Sequence, residues 1–256
     1  MNAEKLRTLF DMTGRVVIVT GGTRGIGRAL AEGYAAAGAK VVVTSRKAAA
    51  CDETAKHLRA QGGEAVSVPC HVGDLDALRE LVERTVEAFG AIDVVVNNAA
   101  NALAQPLGQY TPEAWEKSYA VNLRGPVFLV QEALPYLEKS PCASIVNVIS
   151  AGAFLFAPAQ SMYAAGKAAL LSFTRSMAAE YAPRGIRVNA LAPGTVDTDM
   201  VRNNPPEVQK MMAGAGLLRR AAHVDEMVGP ALFLASDASS FMTGQVLVVD
   251  GGIHPH

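Results

Sequence analysis

Three side chains between Ser150 and Lys167 carry the chemistry most directly readable here: the Ser150 hydroxyl, the Tyr163 phenol thirteen residues on, and the Lys167 ammonium four beyond that. No other charge lies between Lys139 and Lys167. If the chain is helical after Pro158, Tyr163 and Lys167 share one face a turn apart. A free phenol titrates near pH ~10 and is a poor base at neutrality. A cation held beside it stabilises the phenolate and draws its pKa toward neutrality, so that the group can give or take a proton. Taken alone, the pair reads rather as an interface aromatic beside a surface lysine, since two residues at helical spacing recur by chance. The elements that would hold it decide between the two.

Arg15–Thr20 (RVVIVT) is a short branched apolar run ending in glycines, as expected of a parallel strand buried on both faces. Ile26, Ala29, Leu30, Gly33 and Ala37 follow at helical spacing, closed by Gly38. Further strands are predicted at 40–45, 64–69, 92–96, 144–149, 186–191 and 245–249, with helices at 48–61, 75–89, 111–138, around Tyr163 and at 224–235. The helix over 111–138 should bend or divide near Gly125 and Pro126. This alternation predicts an α/β fold of Rossmann type: a doubly wound, mainly parallel seven-stranded sheet, order 3-2-1-4-5-6-7, with helices on both faces. No repeat or linker interrupts it, so residues 1–256 read as one domain.

Composition narrows the function. Half of the 256 residues are hydrophobic, 18% are charged and the net charge is -1, which leaves no basic stripe for nucleic acid and no polybasic patch for a membrane. Cys51, Cys70 and Cys142 lack metal-ligand or CxxC spacing and read as reduced thiols of a cytoplasmic protein. The opening residues have no apolar signal-peptide core, and the uncharged stretch 141–166 contains too many polar and proline residues for a membrane span. No metal is expected, since His254 and His256 have no accompanying ligand cluster.

TGGTRGIG at 20–27 places glycines 21, 25 and 27 between the first strand and its helix, where a pyrophosphate can approach the helix N-terminus. After the second strand, where a carboxylate would hold the 2′-hydroxyl of NAD, the chain reads Thr44-Ser45-Arg46-Lys47. Arg binds a 2′-phosphate in bidentate fashion and Ser can hydrogen-bond it; Arg24 adds a second cation. NADP(H) is therefore preferred, with NAD(H) left open.

These motifs, with NNAA at 97–100, VNLRG around Asn122, VNVIS ending at Ser150, YAAGK at 163–167, VNALAPGTVDT at 188–198 and TGQVLVVDGG at 243–252, resemble the short-chain dehydrogenase/reductase family over essentially the whole chain. The resemblance implies that Tyr163 exchanges a proton with the substrate oxygen while hydride passes to or from nicotinamide. It further implies that Lys167 holds the nicotinamide ribose and lowers the Tyr pKa, that Ser150 binds the substrate oxygen, and that Asn122 keeps a water behind the lysine. The cofactor set it implies is Gly21, Thr23, Arg24, Gly25, Ile26, Gly27, Ser45, Arg46, Lys47, His71, Val72, Asn98 and Ala99, together with Tyr163 and Lys167, and Pro193, Gly194, Val196 and Thr198 along the nicotinamide. Asn97 reads as structural, and Asn189 equally as a strut between strands.

Three positions depart from the family pattern: His71 stands for an adenine-contacting Asp, Ala100 for a Gly, and Gly166 for a Ser. The motifs also resemble a branch of NADPH-dependent carbonyl and retinal reductases with peroxisomal members, although HPH at 254–256 is not a peroxisomal address. Ala151, Ala153, Phe154, Leu155, Phe156 and Gln160, with a lid at about 199–218 carrying Met200, Met211 and Met212, suit a moderately apolar ketone, aldehyde or secondary alcohol better than a sugar acid. Reduction of 3-oxoacyl groups on acyl-carrier protein is the competing activity, and a non-catalytic NADP(H) sensor or scaffold the alternative of another class. The family resemblance also implies a homotetramer packed through 111–138 and 160–182.

Overall fold

A computed structural model describes residues 2–155 and 158–254. Seven parallel strands form one sheet: β1 (Val16–Thr20), β2 (Lys40–Thr44), β3 (Glu64–Ser67), β4 (Val94–Asn97), β5 (Ser144–Val148), β6 (Arg187–Pro193) and β7 (Val246–Val249). Their order is β3-β2-β1-β4-β5-β6-β7, as the alternation predicts. Strand order reverses between β1 and β4, which opens the crevice at the strands' C-terminal ends where ligands of such sheets bind.

The helices are α1 (Ala3–Thr8), α2 (Gly25–Ala36), α3 (Ala48–Ala60), α4 (Leu75–Phe89), α5 (Pro112–Tyr119), α6 (Gly125–Leu137), α7 (Ser161–Tyr181), α8 (Asp199–Arg202), α9 (Pro206–Gly214) and α10 (Val228–Ala235). Both faces of each inner strand are apolar because both are covered. Val17, Val19, Val94 and Val96 pack with Leu30, Ala31 and Tyr34 of α2 and with α10. Val16, Ile18, Val95 and Ile145 pack on the opposite face with α4, α6 and the far end of α7.

Some elements differ from the sequence expectation. β3 stops at Ser67, before Pro69, and β6 runs on to Pro193 because its last residues pair with β7. The helix expected over 111–138 is divided by a π turn at Ala120–Arg124, one turn before the predicted bend. Gly125 then lets α6 approach the chain after β3: a Cβ there would lie 2.1 Å from the Val72 carbonyl oxygen. Residues 224–235 begin as a 3-10 turn, Val224–Met227, before α10.

Buried polar groups set the register of the layers. Asn97 Nδ2 donates to Asn147 Oδ1 (2.9 Å), and Asn147 Nδ2 donates to Thr174 Oγ1 of α7 (2.8 Å). Asn97 is thus structural, as expected. Asn189 proves a strut as well: its Nδ2 donates to the Met242 carbonyl and its Oδ1 accepts from the Gln245 amide.

Candidate active site

Ser150 lies two residues past the end of β5, and Tyr163 and Lys167 stand on the first two turns of α7, so that one strand end and one helix face assemble all three groups. Lys167 is buried, at 1% exposure, and its Nζ donates to the Val148 carbonyl at 2.7 Å. That bond uses one ammonium hydrogen and leaves two for other partners. The same Nζ lies 5.8 Å from the centroid of the Tyr163 ring. Ser150 Oγ accepts from the Gly152 amide at 3.1 Å and, beside the Tyr163 phenol, acts to lower its pKa.

The electrostatics differ from the sequence expectation in one respect. Burial raises the Tyr163 pKa above its ordinary value, and the group that opposes this is Ser150 rather than Lys167. Burial pushes Lys167 the other way, down to about 8. A dry environment disfavours both charged forms, phenolate and ammonium alike. The tyrosine therefore stands protonated near neutrality, the form of a proton donor.

Asn122 lies in the π turn. Its Oδ1 accepts from the Asn101 amide (2.9 Å), and its Nδ2 donates to the Asn101 carbonyl (2.8 Å) and to Ser118 Oγ (3.2 Å). Both side-chain donors are thereby used, one in holding the chain after β4 and one on α5. Gly166 faces this residue: a Cβ there would stand 3.3 Å from Asn122 Cβ, so the missing side chain relieves a tight approach between α7 and the π turn.

On the opposite side of the crevice the glycine turn is built around backbone proximity. Gly21 and Gly25 have φ of 68° and 52°, and a Cβ on Gly27 would stand 2.2 Å from the Gly21 carbonyl oxygen and 2.4 Å from Asn98 Nδ2. The Asn98 and Ala99 amides both donate to Thr20 Oγ1, and Asn98 Nδ2 donates to the Thr20 carbonyl at 2.8 Å. Thr23 Oγ1 meets Ser45 Oγ at 3.2 Å, while Ile26 packs into the core. No side chain caps the N-terminus of α2.

Ser45, Arg46 and Lys47 follow β2, and the two cations are exposed with no acidic partner among the described residues. Arg24 is engaged instead, pairing with Asp199 at the start of α8 (3.2 Å). His71 and Val72 follow β3; His71 Nδ1 accepts from the Gly73 amide at 3.1 Å, which leaves Nε2 to meet a partner. Pro193 closes β6, and Gly194 has no room for a side chain because Asp250 Cα would lie 2.6 Å from its Cβ. Val196 is buried, and Thr198 touches the glycine turn, with its Cγ2 3.2 Å from where a Gly25 Cβ would be.

Together these residues fit a nicotinamide dinucleotide. They offer a cradle that any Cβ would fill, an uncapped helix end and unpaired cations beside it. Among the described residues no group of His, Cys, Asp or Glu could hold a metal ion.

On the substrate side the fit is looser. Ala151 is buried, Leu155 is 36% exposed, and Met200 and Met211 on α8 and α9 are 46% and 68% exposed; Phe156 lies outside the described residues. Phe154 does not sit where the sequence suggests. It packs against the cluster of Ile149, Leu170 and Leu171 and lines a cavity of about 400 Å³ with Arg175, Gly244, Gln245, Val246 and Val248. Arg175 lies on the order of 18 Å along α7 from Tyr163, so this ring faces the β7 edge and not the phenol.

A family model described as Enoyl-(Acyl carrier protein) reductase matches residues 21–254. The chain is 40% identical to the short-chain dehydrogenase/reductase SDRA of Arabidopsis thaliana, over 94% of this chain and 95% of that protein. It superposes with a TM-score of 0.90 on a 3-oxoacyl (acyl-carrier-protein) reductase from Agrobacterium tumefaciens C58 with NADP bound, 36% identical over 96% of this chain and 97% of that one. A gluconate 5-dehydrogenase from Burkholderia cenocepacia J2315 in complex with NADP and tartrate gives 0.92 at 34% identity, over 97% and 98%. The chain belongs to the short-chain dehydrogenase/reductase family and is an oxidoreductase.

Sequence reasoning missed three features around the site: the π turn that carries Asn122, the Arg24–Asp199 pair, and a stack of His254 on Phe154. Only the π turn had a local signal, in Gly125 and Pro126 immediately after it.

Proposed function

We propose that this chain transfers hydride between NADP(H) and the carbonyl or hydroxyl carbon of a moderately apolar ketone, aldehyde or secondary alcohol, with Tyr163 as general acid and base. The observation that carries this reading is the buried Lys167 beside the Tyr163 ring, on the helix that follows Ser150. When bound, the dinucleotide supplies or accepts the hydride. In reduction, the Tyr163 hydroxyl donates its proton to the carbonyl oxygen while the Ser150 hydroxyl donates a hydrogen bond to the same oxygen, steadying charge that develops there. The two remaining N–H bonds of Lys167 suit ribose hydroxyls. Asn122 holds the loop after β4, so a water relay behind the lysine would use its main chain in place of its amide.

Arg46, Lys47 and Ser45 would take the 2′-phosphate, and the NADP-bound relatives support that preference. A sugar acid would call for a fixed cation on the substrate side, and Arg202, the arginine of α8, is already held by both oxygens of Asp197. The reading of 3-oxoacyl-carrier reduction draws support from the Agrobacterium relative. Against it, Arg184, a candidate cation for an acidic carrier, is paired with Glu138 at 2.8 Å.

The test is NADPH oxidation with a panel of free ketones, aldehydes and 3-oxoacyl thioesters. Turnover of the free carbonyls supports the reading, and turnover of carrier-linked thioesters alone shifts it to the competing one. Tight NADPH binding with no turnover of any carbonyl would identify a sensor. We further propose a lid formed by α8 and α9, one domain across the chain, a cytoplasmic location for its three unpaired cysteines, and a homotetramer. Trp115 on α5 and Phe173 on α7, 48% and 42% exposed, are surfaces such an assembly would cover. A monomer by light scattering would remove the last of these proposals.

A further inference from the structure

The residues following Ser150 form a 3-10 turn, Ala151–Ala153, whose side chains are two methyl groups and a hydrogen. A turn this short has few hydrogen bonds of its own, here one from the Phe154 amide to the Ala151 carbonyl at 3.0 Å, and its side chains offer little to grip. Its other bonds run through Ser150: the Gly152 amide donates to Ser150 Oγ, and the Ala153 amide donates to the Ser150 carbonyl at 2.9 Å. The first large side chain after the turn is Phe154. Its ring is stacked on that of His254, with centroids 5.3 Å apart and planes inclined by 4°.

His254 belongs to a segment fixed to the scaffold at several points that do not involve Phe154. Both oxygens of the Asp250 carboxylate accept backbone bonds, from the Gly252 and His254 amides, each at 2.8 Å. Gly251 and Gly252, at φ of 67° and 83°, turn the chain after β7. The Gly251 carbonyl accepts from the Leu218 amide at 3.0 Å, and Gly194 leaves room for Asp250. An aromatic ring held on such a base can brace a second ring laid against it.

We propose that His254 is a positioning residue: stacked on Phe154, it holds the 151–153 turn and thereby the direction of the Ser150 hydroxyl toward the substrate oxygen. This rests on the reading of Ser150 given above. The imidazole touches neither substrate nor cofactor in this role. The stack on Phe154 uses the flat face of its ring, and a phenyl ring at this position should keep that face.

The experiment uses the full chain carrying His254→Ala or His254→Phe, each made with Ser150 present and with Ser150→Ala. Deuterium uptake at the Ala153 and Phe154 amides, kcat/KM for the best carbonyl of the panel and the Kd for NADPH are measured in each. His254→Ala should speed exchange of the turn and lower kcat/KM by about tenfold, with the Kd for NADPH unchanged, because a small misplacement of a substrate-holding group is felt strongly in rate. His254→Phe should restore both readouts. In the Ser150→Ala background the His254→Ala loss should largely vanish, as expected of two residues acting as one unit. Unchanged exchange in His254→Ala, failure of His254→Phe to rescue, or an equal loss in both backgrounds each overturns the proposal. If the unsubstituted protein turns over no carbonyl, the proposed activity falls, and the brace is then decided by the exchange measurement and its rescue.

Discussion

The glycine turn and the α8–α9 segment meet through the Arg24–Asp199 pair and are built in opposite ways. At the glycine turn the backbone does the work: Gly21, Gly25 and Gly27 are defined by atoms that would collide with a side chain, and Thr20, Asn98 and Ala99 lock two strand ends together. In α8 and α9 no residue is fully buried, and exposed Met200 and Met211 face outward on short helices. The contrast teaches what each side is for. On the function proposed above, a cofactor of fixed shape would select a fixed backbone, whereas a substrate wall of flexible methionines would accommodate shape without specifying it.

The sharpest break of that comparison comes from the group standing between the two sides. Tyr163→Phe should lower kcat by about 10³-fold, in the range for loss of a positioned proton donor, with the Kd for NADPH nearly unchanged. Steady-state rates and a fluorescence titration check this, and normal turnover would end the acid assignment. On the cofactor side, Gly27→Ala forces a methyl against the Gly21 carbonyl and Asn98, at a cost of about 1–3 kcal/mol, so NADPH affinity should fall by roughly tens of fold together with the melting temperature. Unaltered affinity would mean that the two strand ends are not the cradle.

Arg46→Ala should be smaller and selective: about a tenfold weaker NADPH complex, the loss of one charge-assisted contact, with NADH affected little. Equal losses for both cofactors would remove the phosphate assignment. Smallest of all, Met211→Ala on the lid side should change KM by roughly threefold or less across a ketone panel and leave the Kd for NADPH alone, because other flexible apolar groups can repack around the substrate. A tenfold loss of NADPH affinity from that substitution would erase the distinction between the sides.

That same distinction explains what could be read from the chain alone. All seven strands and their order were legible because parallel strands covered on both faces leave uninterrupted valine and isoleucine runs, as in β1 and β4. Ser150, Tyr163 and Lys167 were legible because a helix and a strand end make their spacing chemical. The shift of Tyr163 was not, since burial is a property of the assembled layers and the Lys167 ammonium turns to the Val148 carbonyl. Nor were the partner of Arg24 and the place of Phe154, which depend on Asp199 and His254, residues remote in sequence. The short helix α1 had too few apolar positions to announce itself.

The bond from Asn147 to Thr174 has a consequence for the catalytic geometry. The buried face of α7 is otherwise composed largely of small or aliphatic residues, a smooth surface along which a helix could settle one turn, about 5.4 Å, to either side. Thr174 and Lys167 are each tied to β5, through Asn147 and Val148, so the helix is keyed like a shaft at two points. The position of Tyr163 along α7 is thereby inherited from an asparagine three places before Ser150, on the strand that leads to the serine.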